Sequence, residues 1–401
     1  MPVRPPLHLA VALNGAGWHP AAWRAVDARP TELLSAAYWR DLVVEAERGL
    51  LDLVTLEDGF AWQSEDPHAP DDRTDVVRGR LDAVLVAARV APLTSHLGLV
   101  PTVIATHTEP FHVSKAIATL DHVSNGRAGV RIRVSGRSDE AALFGRRSFP
   151  PFSPGDPVLP EHLQLVEDLL DEAADHVEVL RRLWDSWEDD AEIRDAATGR
   201  FIDRDKLHYI DFAGRWFAVK GPSITPRPPQ GQPVVAVLAH GERPARLGAR
   251  SADVVHVTPR DAGHAAELVA LVRREQEAAG SSGETVHVFA DLAVLLDDTR
   301  AGAADRRGRL DARAGAEYTG DDALLVTGTP GDLADLLLEW QDAGITGFRL
   351  RPAALPADLH QITRSLVPQL QARGAFRTRY ESDTLRGLLG LPRPADRYAP
   401  A

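Results

Sequence analysis

The 401-residue chain contains no cysteine. Disulfide bonds, thiolate metal sites and cysteine nucleophiles are therefore excluded, and composition does not reveal the redox state of the compartment. Lysine is scarce, with only Lys115, Lys206 and Lys220. Acidic residues outnumber basic ones by 58 to 45, which gives a formal charge of −13 and argues against a general surface for nucleic acid or anionic membranes. We therefore expect small molecules, or further copies of the same chain, as partners.

Long apolar runs are also missing. No stretch approaches the roughly 20 residues that a membrane-spanning helix needs. The apolar segment near the start, "LHLAVALNGAG", follows a single basic residue, Arg4, and we interpret it as a first strand rather than a secretion signal. The sequence has no strong metal-ligand spacing, phosphate-binding loop or Ser-His-Asp signature. These features favour a cytoplasmic protein without a metal site of its own.

Strands and helices alternate along the chain, which is 44% apolar and can bury a large core. Short runs rich in Val and Leu predict eight strands: Leu7–Leu13, Leu51–Leu56, His96–Ala105, Gly129–Val134, Val234–Leu238, Asp253–Val257, Val286–Leu296 and Phe348–Leu350. Segments of helical period lie between them: Ser35–Glu47, Val77–Ala91, Phe111–Val123, Leu163–Trp184, Pro244–Arg250, Gly263–Ala278 and Thr329–Ala343. Such alternation indicates parallel βαβ units, and eight units predict an α/β fold of the (β/α)8 TIM-barrel type.

A doubly wound dinucleotide-binding sheet is the competing fold. It would normally carry a glycine-rich turn after its first strand. Here that turn reads "NGAGWHP" over residues 14–20, with proline where the third glycine belongs. The turn therefore favours the barrel.

Two insertions interrupt the alternation within what we expect to be a single domain, residues 1–401. The first, about 136–232, follows the fourth strand and contains its own helix. The second, about 297–327, follows the seventh strand and mixes Arg and Asp with four glycines. Loops of this size at one face of a barrel usually cover or shape a pocket. Residues of about 374–401 form a C-terminal extension that could pack on a neighbouring subunit.

Active sites of (β/α)8 barrels gather at the C-terminal ends of the strands. His19 follows the first predicted strand and His107 the third, so each is either a catalytic candidate or an ordinary loop histidine. Glu57 and Asp58 end the second strand, where adjacent side chains face opposite sides and cannot act as an acid–base pair. One of these two carboxylates is a candidate helix cap.

The fourth predicted strand is unusual in its charges. Arg131 and Arg133 lie on the same face of a strand that is expected to be covered on both sides. Buried guanidinium groups need acidic partners or an anionic ligand. Two interpretations stay open: an ion pair with Glu57 or Asp58 inside the barrel, or a bound anion.

Four segments of the chain resemble the bacterial luciferase-like flavin monooxygenases. Two are central, "LRRLWDSWEDDA" (180–191) and "DKLHYIDFAGRWFAVKGPSITPRPPQGQPV" (205–234). Two lie earlier in the chain, "YWRDLVVEAERGLLDLVTLEDG" (38–59) and "EPFHVSKAIATLDHVSNGRAG" (109–129). Within that superfamily they are most similar to the branch that oxidises nitrilotriacetate, dibenzothiophene sulfone and pristinamycin precursors.

The resemblance implies a barrel whose C-terminal mouth binds FMN that a separate flavin reductase has reduced and supplied in trans. Reduced FMN and O2 as co-substrate would oxygenate a small organic substrate in a pocket that excludes water, with the long insertion as its lid. Such an enzyme needs no nicotinamide site, in agreement with the absent dinucleotide turn. The family also implies a homodimer or homotetramer.

By position, the resemblance places flavin contacts at the ends of the second to fifth strands. The cofactor-binding candidates are Asp58, Thr106, Thr108, Arg131, Ser135, Gly241, Glu242 and Arg243. The sequence departs from the family at several of these places and nearby. Thr108 replaces Asn, Val130-Arg131 replaces Trp-Asn, Leu170 replaces Tyr, Pro244 replaces Gly, and Gly241 replaces a Ser whose hydroxyl would hold the FMN phosphate. Arg131, Arg133 or Arg243 could supply compensating charge.

Three functions stay open on this basis. The first is a two-component FMN-dependent monooxygenase. The second is a family member with a degenerate flavin site that acts as a non-catalytic subunit or binding protein. The third is a related barrel that works as an oxidoreductase with the deazaflavin F420.

Overall fold

The computed structural model describes residues 5–64, 66, 70–151 and 159–399. Eight parallel strands form a closed barrel: β1 (His8–Leu13), β2 (Leu53–Leu56), β3 (Gly98–Ile104), β4 (Gly129–Arg133), β5 (Val234–Leu238), β6 (Val254–Val257), β7 (His287–Leu296) and β8 (Gly347–Pro352). Each strand pairs with the next one along the chain. Strand β8 pairs with β1, with His8 opposite Gly347, and so closes the ring. The predicted (β/α)8 barrel is confirmed.

Helices surround the barrel, and several of them begin where a polar side chain caps them. Ser35, Asp82, Asp261, Thr299 and Thr329 each accept a hydrogen bond from a backbone N–H in the first turn of the helix that follows. The helices are α1 (Ala36–Arg48), α2 (Ala83–Val90), α3 (Pro110–Val123), α4 (Ser138–Phe144), α5 (Pro160–Trp184), α6 (Glu242–Ser251), α7 (Ala262–Ala279), α8 (Arg300–Ala314), α9 (Pro330–Asp342), α10 (Ala357–Gln361), α11 (Val367–Ala372) and α12 (Leu385–Leu388). In the described part of the chain, no helix is long and apolar enough to cross a membrane.

The excursion between β4 and β5 contains one of the barrel's own outer helices. The long helix α5 packs between α3 and α6, and Trp184 near its end donates a hydrogen bond from Nε1 to the Ser114 carbonyl of α3 at 3.1 Å. Two short antiparallel hairpins follow, Glu192–Asp195 with Arg200–Ile202 and Phe212–Ala213 with Ala218–Val219. Much of the predicted insertion therefore completes the ring of helices.

The excursion between β7 and β8 contains a helix and a strand that its sequence pattern does not predict. Helix α8 buries only Ala303 and Leu310, so it lacks the apolar period by which a helix is recognised. After it, an accessory strand, Leu324–Gly328, pairs with the C-terminal half of β7. The expectation of a loop over residues 297–327 is therefore corrected.

The C-terminal extension packs on its own chain. Leu385 of α12 is fully buried beside Ala10, Leu53, Val100 and Phe289, which line the N-terminal end of the barrel. A Cβ atom on Gly98 would lie 2.5 Å from Leu385, so this glycine at the start of β3 makes room for the leucine. Further on, Arg393 pairs with Asp189 and Arg397 with Glu178. The tail thus closes the bottom of its own barrel, and packing on a neighbouring subunit stays a prediction.

His176 makes α5 sensitive to acid. Its ring is fully buried, and neither nitrogen has a hydrogen-bond partner among the described residues. Burial lowers its pKa from 6.5 to about 3, so between these pH values the unfolded chain binds a proton that the folded chain does not, and stability falls as the pH falls.

We expect this histidine to remove about 2 kcal/mol of stability between pH 7.5 and pH 5. The variant His176→Leu should lose that part of the pH dependence and be more stable at pH 5. Urea unfolding at the two pH values measures the effect. An unchanged difference between the two pH values would show that His176 is not the group responsible.

Candidate active site

A cluster of ion pairs fills the barrel interior toward the C-terminal ends of the strands. Glu57, at the end of β2, accepts hydrogen bonds from Arg131 of β4, at 2.8 Å, and from Arg349 of β8. Arg349 also donates to Asp291 of β7 at 2.5 Å and to the Thr55 hydroxyl at 2.8 Å. All four charged side chains are buried. The interpretation of Arg131 as an interior ion pair with Glu57 is therefore confirmed.

Arg351 extends the cluster to the mouth of the barrel. Its guanidinium donates to Asp291 and to Asp322, each at 2.5 Å, and lies over the ring of Trp18 at 4.9 Å. Asp322 belongs to the excursion after β7 and also lies 3.3 Å from Nε2 of His240. One carboxylate thus joins this excursion to the ends of β8 and β5.

The charges in this cluster hold one another ionised. Burial would raise the pKa of Glu57, but the positive charges of Arg131 and Arg349 outweigh burial and keep that pKa well below its ordinary value. The same balance applies to Asp291. Burial would raise its pKa, but the charges of Arg349 and Arg351 outweigh burial and keep the pKa well below its ordinary value. Burial lowers the pKa of Arg131 to about 10, which still leaves it charged at neutral pH. The floor of the mouth is therefore a fixed array of charges.

Sequence reasoning found Glu57 and Arg131 but missed Asp291, Arg349 and Arg351. The signal was available in the sequence. The eighth strand reads "GFRLRP", with arginines at alternate positions as in "GVRIR" of the fourth, and Asp291 interrupts an otherwise apolar seventh strand. Inward-facing residues of parallel strands with opposite charges are candidates for the same interior layer.

Several of the predicted site residues gather between the ends of β2, β3 and β4. The Thr106 hydroxyl accepts a hydrogen bond from the backbone N–H of Ser135 at 2.9 Å, and the Thr108 hydroxyl donates to the Ile104 carbonyl at 3.0 Å. Asp58 accepts from the first N–H of α2, that of Ala83, at 2.9 Å. Burial raises the pKa of Asp58. This carboxylate thus binds the start of α2, although the residue that caps the helix is Asp82.

His107 lies at this end of the barrel among aromatic rings. It is buried, and its ring stacks on Phe144 with 4.9 Å between the ring centres and 7° between the planes. Phe60 contacts it edge-on. Burial lowers the pKa of His107, so the ring is neutral at pH 7, and its Nε2 has no hydrogen-bond partner within the described residues. A neutral imidazole with a free nitrogen can hold or move a proton.

His19 lies elsewhere, between the first loop and α8. Its Nε2 lies 3.0 Å from Oδ1 of Asp311 on that helix, and its Nδ1 accepts a hydrogen bond from Ala21 N–H at 3.1 Å. The ring is buried against Tyr318. Both ring nitrogens serve the packing of this loop, so the structure gives His19 a structural role and offers no observation that favours catalysis.

The turn after β5 forms a separate part of the rim. Gly241 has extended backbone and precedes α6, and a Cβ atom on it would meet nothing within 4 Å. Glu242 pairs with Arg246 at 3.3 Å and Arg243 pairs with Glu167 of α5. Pro244 offers no N–H. Leu170, which stands where the family has Tyr, is buried within α5. This turn has space for an anion but provides few donors.

The chain is similar to known enzymes over nearly its whole length. The family model described as luciferase-like monooxygenase matches residues 19–319. N-acetyl-S-(2-succino)cysteine monooxygenase of Bacillus subtilis is 30% identical, over 98% of both chains. Nitrilotriacetate monooxygenase component A of Aminobacter aminovorans is 28% identical, again over 98% of both. A crystal structure of riboflavin lyase with modified FMN and riboflavin superposes with a TM-score of 0.84 at 25% identity, over 98% of each chain.

Proposed function

Because this chain belongs to the luciferase-like monooxygenase family, we propose that it oxygenates a small organic substrate, using O2 and reduced FMN that a separate flavin reductase supplies. The two relatives described above are named as monooxygenases of small organic acids. Their names support an enzyme rather than a non-catalytic subunit. We further propose that the protein works in the cytoplasm as a homodimer or homotetramer.

One observation carries the assignment of the barrel mouth as the flavin site. Among the buried nitrogens without a hydrogen-bond partner in the described residues, three lie toward the mouth of the barrel: Trp18 Nε1, His107 Nε2 and Arg131 Nε. An unpaired buried polar atom costs about 1–3 kcal/mol, so such atoms at a barrel mouth point to a polar ligand. The flavin ring carries nitrogen and oxygen atoms that can pair with such groups.

The residues of the mouth fit the flavin in two respects. Trp18 and Arg131 present N–H groups that would hold the polar edge of the ring, while Phe60, Phe144 and the ring of His107 exclude water from one side. Bound reduced FMN supplies the reaction with O2. His107, neutral at pH 7, is the side chain that would hold a proton at Nε2 near the substrate.

Binding and turnover test this function separately. Anaerobic titration with reduced FMN, followed by tryptophan fluorescence, should show saturable binding. With NADH, FMN and a flavin reductase, oxygen uptake should then yield an oxygenated product from a panel that includes N-acetyl-S-(2-succino)cysteine and nitrilotriacetate. Failure to bind reduced FMN at about 1 mM would exclude the flavin function.

Gly241→Ser provides a gain-of-function test of the FMN phosphate. The site is open around this glycine and its backbone is extended, so a serine fits without strain. Its hydroxyl would add one donor to a phosphate held at the start of α6, which we expect to tighten FMN binding by about fivefold. Gly241→Ala serves as the matched control. An equal gain for riboflavin, which lacks the phosphate, would contradict a phosphate contact here.

A further inference from the structure

Two arginines at the mouth differ from their neighbours because they are not paired with a carboxylate. Arg131, Arg349 and Arg351 form ion pairs inside the barrel. Arg80 follows β2 and precedes α2, and Arg133 ends β4. Within the described ranges, neither guanidinium lies in an ion pair, and each has one hydrogen bond: Arg80 to the Asn14 side chain at 3.4 Å, and Arg133 to the Asp58 carbonyl at 3.0 Å.

The two guanidinium groups flank the Asp58-Gly59 turn. A Cβ atom built on Gly59 would lie 3.0 Å from Nη1 of Arg80, and Arg133 binds the neighbouring carbonyl. The Asp58 carboxylate does not neutralise either arginine directly, because it accepts from the N–H groups of Gly59 and Ala83. Two like charges, one exposed (Arg133) and one half-buried (Arg80), are therefore held near each other, and most of their hydrogen-bond donors have no protein partner.

Arg127 is a buried arginine with a structural role, and it provides a comparison for Arg80. Its guanidinium is buried and makes five hydrogen bonds, to three backbone carbonyls on its Nη atoms, to the Thr94 hydroxyl and to the Ser124 carbonyl. Arg80 is half-buried yet makes a single long bond. Burial and the charge of Arg133 both lower its pKa, although Glu57 and Asp58 partly offset them. A partly buried cation without a carboxylate partner is stabilised by an anionic ligand.

We propose that Arg80 and Arg133 together bind a carboxylate of the substrate at the mouth between β2 and β4, apart from the proposed phosphate site at the start of α6. A planar guanidinium group matches a carboxylate with paired hydrogen bonds. This inference deepens the proposed function and rests on it for the class of substrate, a small organic acid.

Binding measurements with Arg80→Gln, Arg133→Gln and the double variant test the proposal. The probes are reduced FMN, reduced riboflavin and succinate, each titrated by calorimetry without oxygen. Loss of one charged hydrogen bond should weaken the bound anion about tenfold per substitution. Arg89→Gln is the matched control, because Arg89 is exposed on α2 and its substitution makes the same change of charge.

The probes separate a substrate site from a phosphate site. Weaker binding of succinate with unchanged binding of FMN and riboflavin supports the proposal. Unchanged affinity for succinate, or a wild type that does not bind succinate, would overturn it. A loss confined to FMN would also overturn it, because the two arginines would then bind the phosphate. Arginine-dependent binding of succinate by a protein that does not bind FMN would retain the proposal while the proposed function failed.

The melting temperature distinguishes a binding role of these arginines from a structural one. Since the two charges repel and have no carboxylate partner in the described structure, neither substitution should lower the melting temperature. A drop in melting temperature that accompanies the loss of affinity would instead indicate that these arginines support the fold, and it too would overturn the proposal.

Discussion

Asp291→Asn is expected to lower the free energy of unfolding by about 3–5 kcal/mol. Asp291 is fully buried and neutralises both Arg349 and Arg351. Asparagine has nearly the same shape but no charge, so the substitution leaves an uncompensated positive charge in the barrel interior without creating a cavity. Breaking a buried pair costs far more than the pair contributes to stability, because the remaining charge stays desolvated.

Urea unfolding at pH 7 measures this loss, and Asp168→Asn is its control. Asp168 forms a two-bond ion pair with Arg215 on the protein surface, with contacts of 2.8 and 3.0 Å. The same chemical change there should cost within about 1 kcal/mol. If both variants lost similar amounts, the interior charges would have to be hydrated in the folded protein.

Gly17→Ala is expected to lower stability by at least about 3 kcal/mol and to disorder the mouth of the barrel. Gly17 has φ of +127°, and its Cβ would lie 2.4 Å from the Ala353 carbonyl oxygen and 2.7 Å from the Ala354 Cα. Neither backbone can move easily, because Trp18 N–H and His19 N–H donate to the Pro352 and Ala353 carbonyls at 3.0 and 2.9 Å.

The substitution should also weaken ligand binding, since it displaces Trp18 from its place over Arg351. Thermal melting and the reduced-FMN titration measure the two effects. Gly241→Ala tests whether any glycine at the mouth is equally sensitive, and we expect its stability to stay within about 0.5 kcal/mol of the wild type. Full stability of Gly17→Ala would mean that the first loop and the end of β8 are not held together in solution.

The eight strands and the seven helices between them could be predicted because burial on both faces leaves a strong apolar pattern. The predicted ends of helices were wrong where something other than the apolar pattern determines them. The predicted helix beginning at Val77 begins instead at Ala83, where Asp82 caps it. Helix α8 has two buried residues and no apolar stripe. The role of the tail depends on where Leu385 lies in space, which no local pattern encodes.

The site could be predicted in part for the same reason. Buried charges on β4 require partners, and this requirement predicts an ion pair with Glu57 or Asp58. Asp291 and Arg349 were not found because they lie more than two hundred residues from Glu57 along the chain, and only closure of the barrel places β8 beside β1. Conversely, His19 was singled out by its position after the first strand, whereas no local pattern reveals its contact with Asp311, nearly three hundred residues distant.

The accessory strand divides β7 into two halves with different neighbours. Of its ten residues, those from His287 to Ala290 pair with β6, while those from Leu292 to Leu296 pair with the accessory strand on the same edge. The amide hydrogens of the first half therefore exchange with solvent only when the barrel itself opens. Those that the second half gives to the accessory strand exchange whenever the excursion detaches, so one continuous strand records two separate opening events.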